Sequence, residues 1–199
     1  MYPSEYFLEH DKEKIFRVIE TCSFATLISR TEDDIIVTHL PLMLNRQRGD
    51  FGFLVGHMDR NNPHARYLNN DKVFVVFHGP NAYISPNVYK STQLPTWNSI
   101  AVHIKGLVRQ TESKKAVRDS MINMVSFLEK GQAPFVLDPA HQKMNSLLGY
   151  VVGFEIEIRQ LIGRFKLSQN KNEKDQQLAK EHLIAESKKG HAQLIDFVI

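Results

Sequence analysis

Cysteine is almost absent from this sequence. Cys22 is the only one in 199 residues, which excludes an internal disulfide and any cysteine-rich metal site. No stretch approaches the roughly 20 uninterrupted apolar residues that a membrane-spanning helix needs. The opening Met1-Tyr2-Pro3-Ser4-Glu5 lacks a basic segment followed by an apolar run, so a secretory signal is not expected and a cytoplasmic protein is. Glycine and proline are ordinary at 10 and 8 residues, which excludes collagen-like and low-complexity chains. Charge of one sign is scarce as well. The net charge is only +3, and seven Lys/Arg against four acids between Arg164 and His191 account for all of it. A neutral body with a mildly basic end is not a nucleic-acid signature, and the basic stretch reads as a solvated, mixed-charge helix face.

The common chemical motifs are missing too. There is no Gly-x-Ser-x-Gly elbow, no Gly-x-Gly-x-x-Gly and no phosphate-binding P-loop. Nine histidines stand at 10, 39, 57, 64, 78, 103, 141, 182 and 191, and no two are spaced i, i+4 on a plausible helix face. A dedicated metal site is not expected, and no residue is assigned a catalytic role.

What is present is a succession of short strands. Ser23 to Ser29, Ile35 to Leu44 and Phe51 to Val55 read as β, separated by turn residues. Val73 to Phe77 and Ala82 to Ser85 read as two strands around a Gly79-Pro80-Asn81 turn. Ser99 to Gln110 and Val151 to Ile162 alternate with period two. Helices are expected at Asp11–Glu20, at Glu112–Lys130 with Val117, Met121, Met124, Val125 and Leu128 on its packed face, at Asp138–Leu148, and after Gln169. Short, frequent strands with hairpin-length connections predict an antiparallel barrel, not a parallel βαβ sheet. The connector from Gly131 to Pro139 is too long and proline-rich for a helix-turn-helix.

Three segments carry candidate chemistry. Gly56-His57-Met58-Asp59-Arg60-Asn61-Asn62-Pro63 ends a strand and opens a helix, with Asn62 as cap and Pro63 at the first helical position. A helix start attracts an anion, and Arg60 adds a guanidinium fork. A capped helix with a solvent-facing Arg is the alternative. Trp97-Asn98 suits stacking on a planar ring and hydrogen bonding to its edge, or equally structural packing. Lys166-Leu167-Ser168-Gln169-Asn170 lies between a strand and the last helix, where Ser168 or Asn170 could equally be a cap.

Taken together with Met1-Tyr2-Pro3, Phe24-Ala25-Thr26-Leu27, His39-Leu40-Pro41-Leu42, Gly79 to Pro86 and Val152 to Ile156, these segments resemble the PaiB-type family of FMN-binding proteins, often labelled negative transcriptional regulators. The resemblance runs from Met1 to about Leu183. It implies the flavin split-barrel fold, mainly β with helices: a six-stranded antiparallel Greek-key barrel with flanking helices. Residues 1–170 would form the FMN-binding domain with a helical insertion at 112–149, and 171–199 a mildly basic helical extension.

The resemblance further implies FMN as cofactor and a homodimer with FMN at the subunit interface. Carried over position by position, Gly56, His57, Arg60, Asn61 and Asn62 resemble the loop that approaches the FMN phosphate. His39 and Leu40 resemble the strand beside the flavin. Trp97, Asn98, Lys166, Ser168 and Gln169 resemble interface or flavin-contact positions. The chain departs from the family at Val88 and Ser99, where the family tends to carry aromatics, and in a shortened 89–93 loop. Three functions are compatible with this pattern: an FMN-binding regulator acting through protein or DNA contacts, an FMN-dependent oxidoreductase of the flavin-reductase kind, or a barrel dimer that has lost the cofactor.

Overall fold

A computed structural model describes residues 4–111, 113–129, 131 and 133–190 of the chain. Met1-Tyr2-Pro3 of the opening motif, the expected helix ends Glu112 and Lys130, and residues 191–199 of the expected extension, with His191, lie outside the described residues. Among the described residues eight strands are formed: β1 (Leu8–Glu9), β2 (Phe24–Arg30), β3 (Ile35–Pro41), β4 (Met43–Asn45), β5 (Phe53–Asp59), β6 (Asn69–Ile84), β7 (Thr96–Thr111) and β8 (Val151–Lys166). Four helices accompany them: α1 (Lys12–Thr21), α2 (Lys114–Leu128), α3 (Gln142–Leu147) and α4 (Glu173–Lys189).

The sheet runs in the order β3-β2-β6-β7-β8-β5-β4, with β1 pairing β8 off this path. The pairings β2–β3, β2–β6, β4–β5, β5–β8 and β1–β8 are antiparallel. Eight strands stand where the resemblance implied six; two of them, β1 and β4, have only two and three residues.

The sequence misplaces one connection. Gly79-Pro80-Asn81 is not a turn but the middle of the 16-residue strand β6. Gly79 takes no positive φ, and a Cβ there would meet Ile100 Cβ and Cγ2 at 3.0 Å. The glycine is used for close approach of a neighbouring strand, not for a reversal. The expected helix at Asp138–Leu148 shrinks to Gln142–Leu147, because His141 caps it by accepting from Lys143 N.

Two compact units divide the chain: residues 1–15, 78–102 and 162–199 in the first, 16–77 and 103–161 in the second. Strands β6, β7 and β8 each contribute to both. In the second unit, Leu27, Leu42, Leu54, Val75, Phe77, Ile104, Phe154 and Ile156 are fully buried. Each such side chain contributes about 1.5–3 kcal/mol relative to exposure. Strand β2 shows the cause in its sequence: Ala25, Leu27 and Ser29 point inward while Phe24, Thr26, Ile28 and Arg30 point out. Helix α2 buries Val117 and Met124 of the expected face, while Met121 and Val125 are half-buried and Leu128 is exposed. In the first unit, Ala82, Ile84 and Tyr89 pack with Ala179 and Leu183 of α4, and Val88 and Leu167 close the edge of that cluster.

Candidate functional site

In the second unit the segment after β5 is built by local hydrogen bonds. Asp59 Oδ1 accepts from Asn61 N at 2.7 Å, and Asn62 N donates to Asp59 O at 3.0 Å. Asn62 Oδ1 then accepts from His64 N at 2.9 Å, and Asn62 O accepts from Ala65 N at 2.9 Å. From Asn62 the chain enters a five-residue 3-10 turn, Pro63–Tyr67, not an α-helix. The expected anion site at a helix start is thereby corrected: the turn is too short for a macrodipole, and its first amides are spent on Asn62.

Arg60 is exposed but engaged. Its Nε donates to Gly149 O at 2.9 Å, its Nη2 to Val151 O at 3.1 Å, and its backbone N–H to Tyr150 O at 2.8 Å. These bonds use two of the five guanidinium N–H groups. Beside it opens a cavity of about 320 Å³, lined by Arg60, Lys114, Thr111 and Gln110 among others, with no carboxylate among the described residues of its wall.

The neighbouring strand positions split by the pleat. Gly56 faces the core, where a Cβ would meet Leu42 Cδ2 at 2.6 Å and Phe154 Cζ at 3.0 Å. His57 faces the other way, opposite Gly153, whose missing Cβ leaves room for Val117 of α2 at 3.0 Å. Burial pushes the His57 pKa down, and its Nδ1 has no hydrogen-bond partner among the described residues. His39 is exposed, stacked on Phe24 with ring centroids 6.4 Å apart and hydrogen-bonded through Nδ1 to Thr26 Oγ1 at 3.1 Å. Leu40 is a core residue.

The sequence did not single out one buried polar group of this unit. His64 is fully buried, its Nδ1 sharing a 2.9 Å hydrogen bond with Thr38 Oγ1 and its Nε2 a 2.8 Å bond with Ser29 Oγ. Asn62 Nδ2 donates to the same Thr38 Oγ1 at 3.3 Å. Burial lowers the His64 pKa. A readable signal existed: Ser29 and Thr38 are hydroxyls on the inward phase of their strands, where an alternating pattern calls for apolar side chains.

The first unit holds the remaining candidates. Asn98 and Ser168 are buried together: Asn98 Nδ2 donates to Ser168 Oγ at 2.9 Å, and Ser168 Oγ donates to Asn98 Oδ1 at 3.2 Å. Tyr89 OH bonds to the same Oγ at 2.9 Å. Ser168 has φ 65°, the left-handed region that side chains rarely enter. Trp97 is 54% exposed, its Nε1 donating to Asn81 Oδ1 at 3.2 Å, with the Tyr83 ring 6.4 Å away. Lys166 Nζ donates to Thr96 Oγ1, and its pKa is lowered by partial burial and then by Arg164 and Lys171. Gln169 closes on its own segment, accepting from Leu167 N at 2.7 Å.

Asp175 is a further residue the sequence did not mark as functional. Its buried carboxylate accepts from Ser91 Oγ, Lys90 N and Asn172 Nδ2, which hold its pKa below the usual carboxylate range and tie the 90–91 segment to the first turn of α4. The spacing Asn172-x-x-Asp175, a cap followed three residues on by an acid, was its legible sign. Among the described residues no group of three or more His, Cys, Asp or Glu gathers that could hold a metal ion.

Known proteins share this sequence and fold. A family model described as "Putative FMN-binding domain" matches residues 1–160. The protease synthase and sporulation protein PAI 2 of Bacillus subtilis is 33% identical over 177 residues, 88% of this chain and 85% of its own length. The chain belongs to this FMN-binding family.

Solved structures agree on the fold. The FAD and heme binding protein of Mycobacterium smegmatis superposes with a TM-score of 0.62 at 14% identity, covering 80% of this chain and 73% of its own. The flavocytochrome Anf3 of Azotobacter vinelandii gives 0.62 at 14% identity over 80% and 69%. As a family member the chain takes FMN as its cofactor. The donor set at the Arg60 cavity fits one end of that molecule: a guanidinium, an ammonium, a hydroxyl and an amide are what a phosphate monoester accepts from.

Proposed function

We propose that this chain is a cytoplasmic, homodimeric FMN-binding protein of the PaiB type, acting as a negative transcriptional regulator. The observation that carries the flavin assignment is the cavity that sets the Arg60 guanidinium and the Lys114 ammonium in one wall. Arg60 and Lys114 hold the phosphate there, and Asp59, Asn61 and Asn62 keep the segment in shape. FMN, when bound, supplies redox chemistry; the chain supplies binding and placement. In the second unit His39 presents ring surface to a planar group. In the first unit Asn98, Ser168 and Gln169 fix the backbone around Trp97 and Lys166.

The dimer is supported by the exposed apolar end of the β2–β3 pair, where Phe24, 66% exposed, lies opposite Pro41. A self-complementary patch of this kind is the usual basis of a cyclic dimer. Helices α2 and α3 are joined by residues 129–141, so the regulatory role is routed through protein contacts or another DNA-facing surface, not a helix-turn-helix. No helix among the described residues is long and apolar enough to cross a membrane.

The test is a fluorescence titration of FMN and riboflavin against the native protein, Arg60→Ala and Lys114→Ala. A charged hydrogen bond to phosphate contributes roughly 1.5–3 kcal/mol, so each substitution weakens FMN about tenfold to hundredfold. Riboflavin, which has no phosphate, is nearly unaffected. Equal losses for both ligands remove the phosphate from this cavity.

A further inference from the structure

A larger groove, about 730 Å³, lies on the outer sheet face of the second unit and is not used by the flavin assignment. Its floor is apolar, with Ile28, Phe74 and Leu107. Around it stand four exposed cations, Arg30, Lys72, Lys105 and Arg159, and no carboxylate is among the described residues of its wall.

The cations form a row across neighbouring strands. The β2–β6 register pairs Ser29 with Val73, and one step further sets Arg30 opposite Lys72. On β6 and β7 the rings of Phe74 and His103 meet at 5.0 Å, and Lys72 and Lys105 each lie two residues along from that contact. Arg159 on β8 completes the row, and it alone of the four is ion-paired among the described residues, to Glu157 at 2.8 Å. Four adjacent strands at about 4.8 Å spacing spread the charges over roughly 14 Å.

Like charges placed opposite one another across strands destabilise a sheet. Retaining such a row over an apolar floor is explained by an anionic occupant that neutralises it. A self-complementary contact through this row would set cation against cation, so a second copy of the chain is not that occupant. One carboxylate would answer only part of a row roughly 14 Å long, whereas linked phosphates answer several positions at once. The volume falls in the range of small-molecule sites, and an apolar floor suits a ring.

We propose that this groove binds a small molecule with two or more linked phosphates on a ring-bearing body, the chemistry of a nucleoside di- or triphosphate. The site stands independently of the flavin assignment. The experiment is calorimetric titration of ADP and of adenosine into the full chain and into Arg30→Gln, Lys72→Gln and Lys105→Gln, with FMN titrated in parallel and thermal unfolding recorded for each variant. ADP is expected to bind once per chain, more weakly as salt rises, and adenosine at least about tenfold more weakly than ADP. Each substitution should lower ADP affinity about tenfold and leave FMN affinity within about twofold. Unfolding temperatures should hold or rise, since each substitution relieves repulsion. No ADP binding, or equal binding of ADP and adenosine, overturns the proposal. A parallel loss of FMN would give the row to the flavin site, and a change in oligomeric state on substitution would give the face to a second copy; either result overturns it too.

Discussion

Thr38→Val is the most discriminating perturbation of the second unit, because it changes one hydroxyl and almost no volume. Thr38 Oγ1 serves two groups, His64 Nδ1 at 2.9 Å and Asn62 Nδ2 at 3.3 Å. The imidazole is fully buried, so its nitrogen cannot turn to water when the hydroxyl is lost. A buried polar group left unsatisfied costs about 1–3 kcal/mol, and that is the expected loss in urea unfolding, at unchanged denaturant slope. A pH series supplies a second readout. Burial holds the folded pKa of both His64 and His57 below the ordinary 6.5. Below about pH 6.5 the unfolded chain therefore binds more protons than the folded one, and stability falls as pH falls, by up to about 1.4 kcal/mol per pH unit for each histidine. His64→Gln should remove one of these two contributions and leave that of His57. A Thr38→Val variant within about 0.5 kcal/mol of the native protein, or a pH slope untouched by His64→Gln, would refute the network as a stabilising element.

Two further substitutions separate buried from exposed roles. Met124→Ala in α2 should cost about 2–5 kcal/mol while Leu128→Ala on the same helix changes little, because Met124 is buried and Leu128 is 45% exposed; urea unfolding of the pair checks it. Ser168→Ala loses the hydroxyl shared by Asn98 and Tyr89 but keeps the left-handed backbone, whereas Ser168→Gly loses the hydroxyl and relieves the strain. The glycine variant should therefore be more stable than the alanine variant by about 1–2 kcal/mol, measured as the difference between their midpoints.

Elements with strong periodicity are legible in the sequence, and those decided by packing are not. The alternation of Ala25, Leu27 and Ser29 announces β2, and Ile15 and Ile19 announce α1, since both patterns arise from side-chain geometry alone. Gly79-Pro80-Asn81 has the composition of a turn, yet the deciding fact is the proximity of Ile100, a residue far along the chain on the next long strand. How deeply each residue of the α2 face is buried is hidden for a similar reason. Several apolar residues ring that helix, and which of them meets the sheet depends on where β5 and β8 lie beneath it.

The candidate residues expose a simpler obstacle. Six of them form adjacent pairs on strands: His39 with Leu40, Gly56 with His57, and Trp97 with Asn98. All six lie on strands, where consecutive side chains point to opposite faces. One member of each pair must then enter the interior, and Leu40, Gly56 and Asn98 do so. Those three shape the sheet; their partners His39, His57 and Trp97 share the opposite orientation, and of these His39 and Trp97 are exposed while His57 is partly covered. A resemblance carried on contiguous motifs cannot make this division by itself, because a motif scores both faces of the strand equally. Strand phase makes it, and the same phase explains why Ser29 and Thr38, two polar residues on the inward side, had to find a buried partner in His64. In a sheet protein, the outward phase is where ligand-facing side chains are to be sought, and a polar residue on the inward phase points to the network that holds them in place.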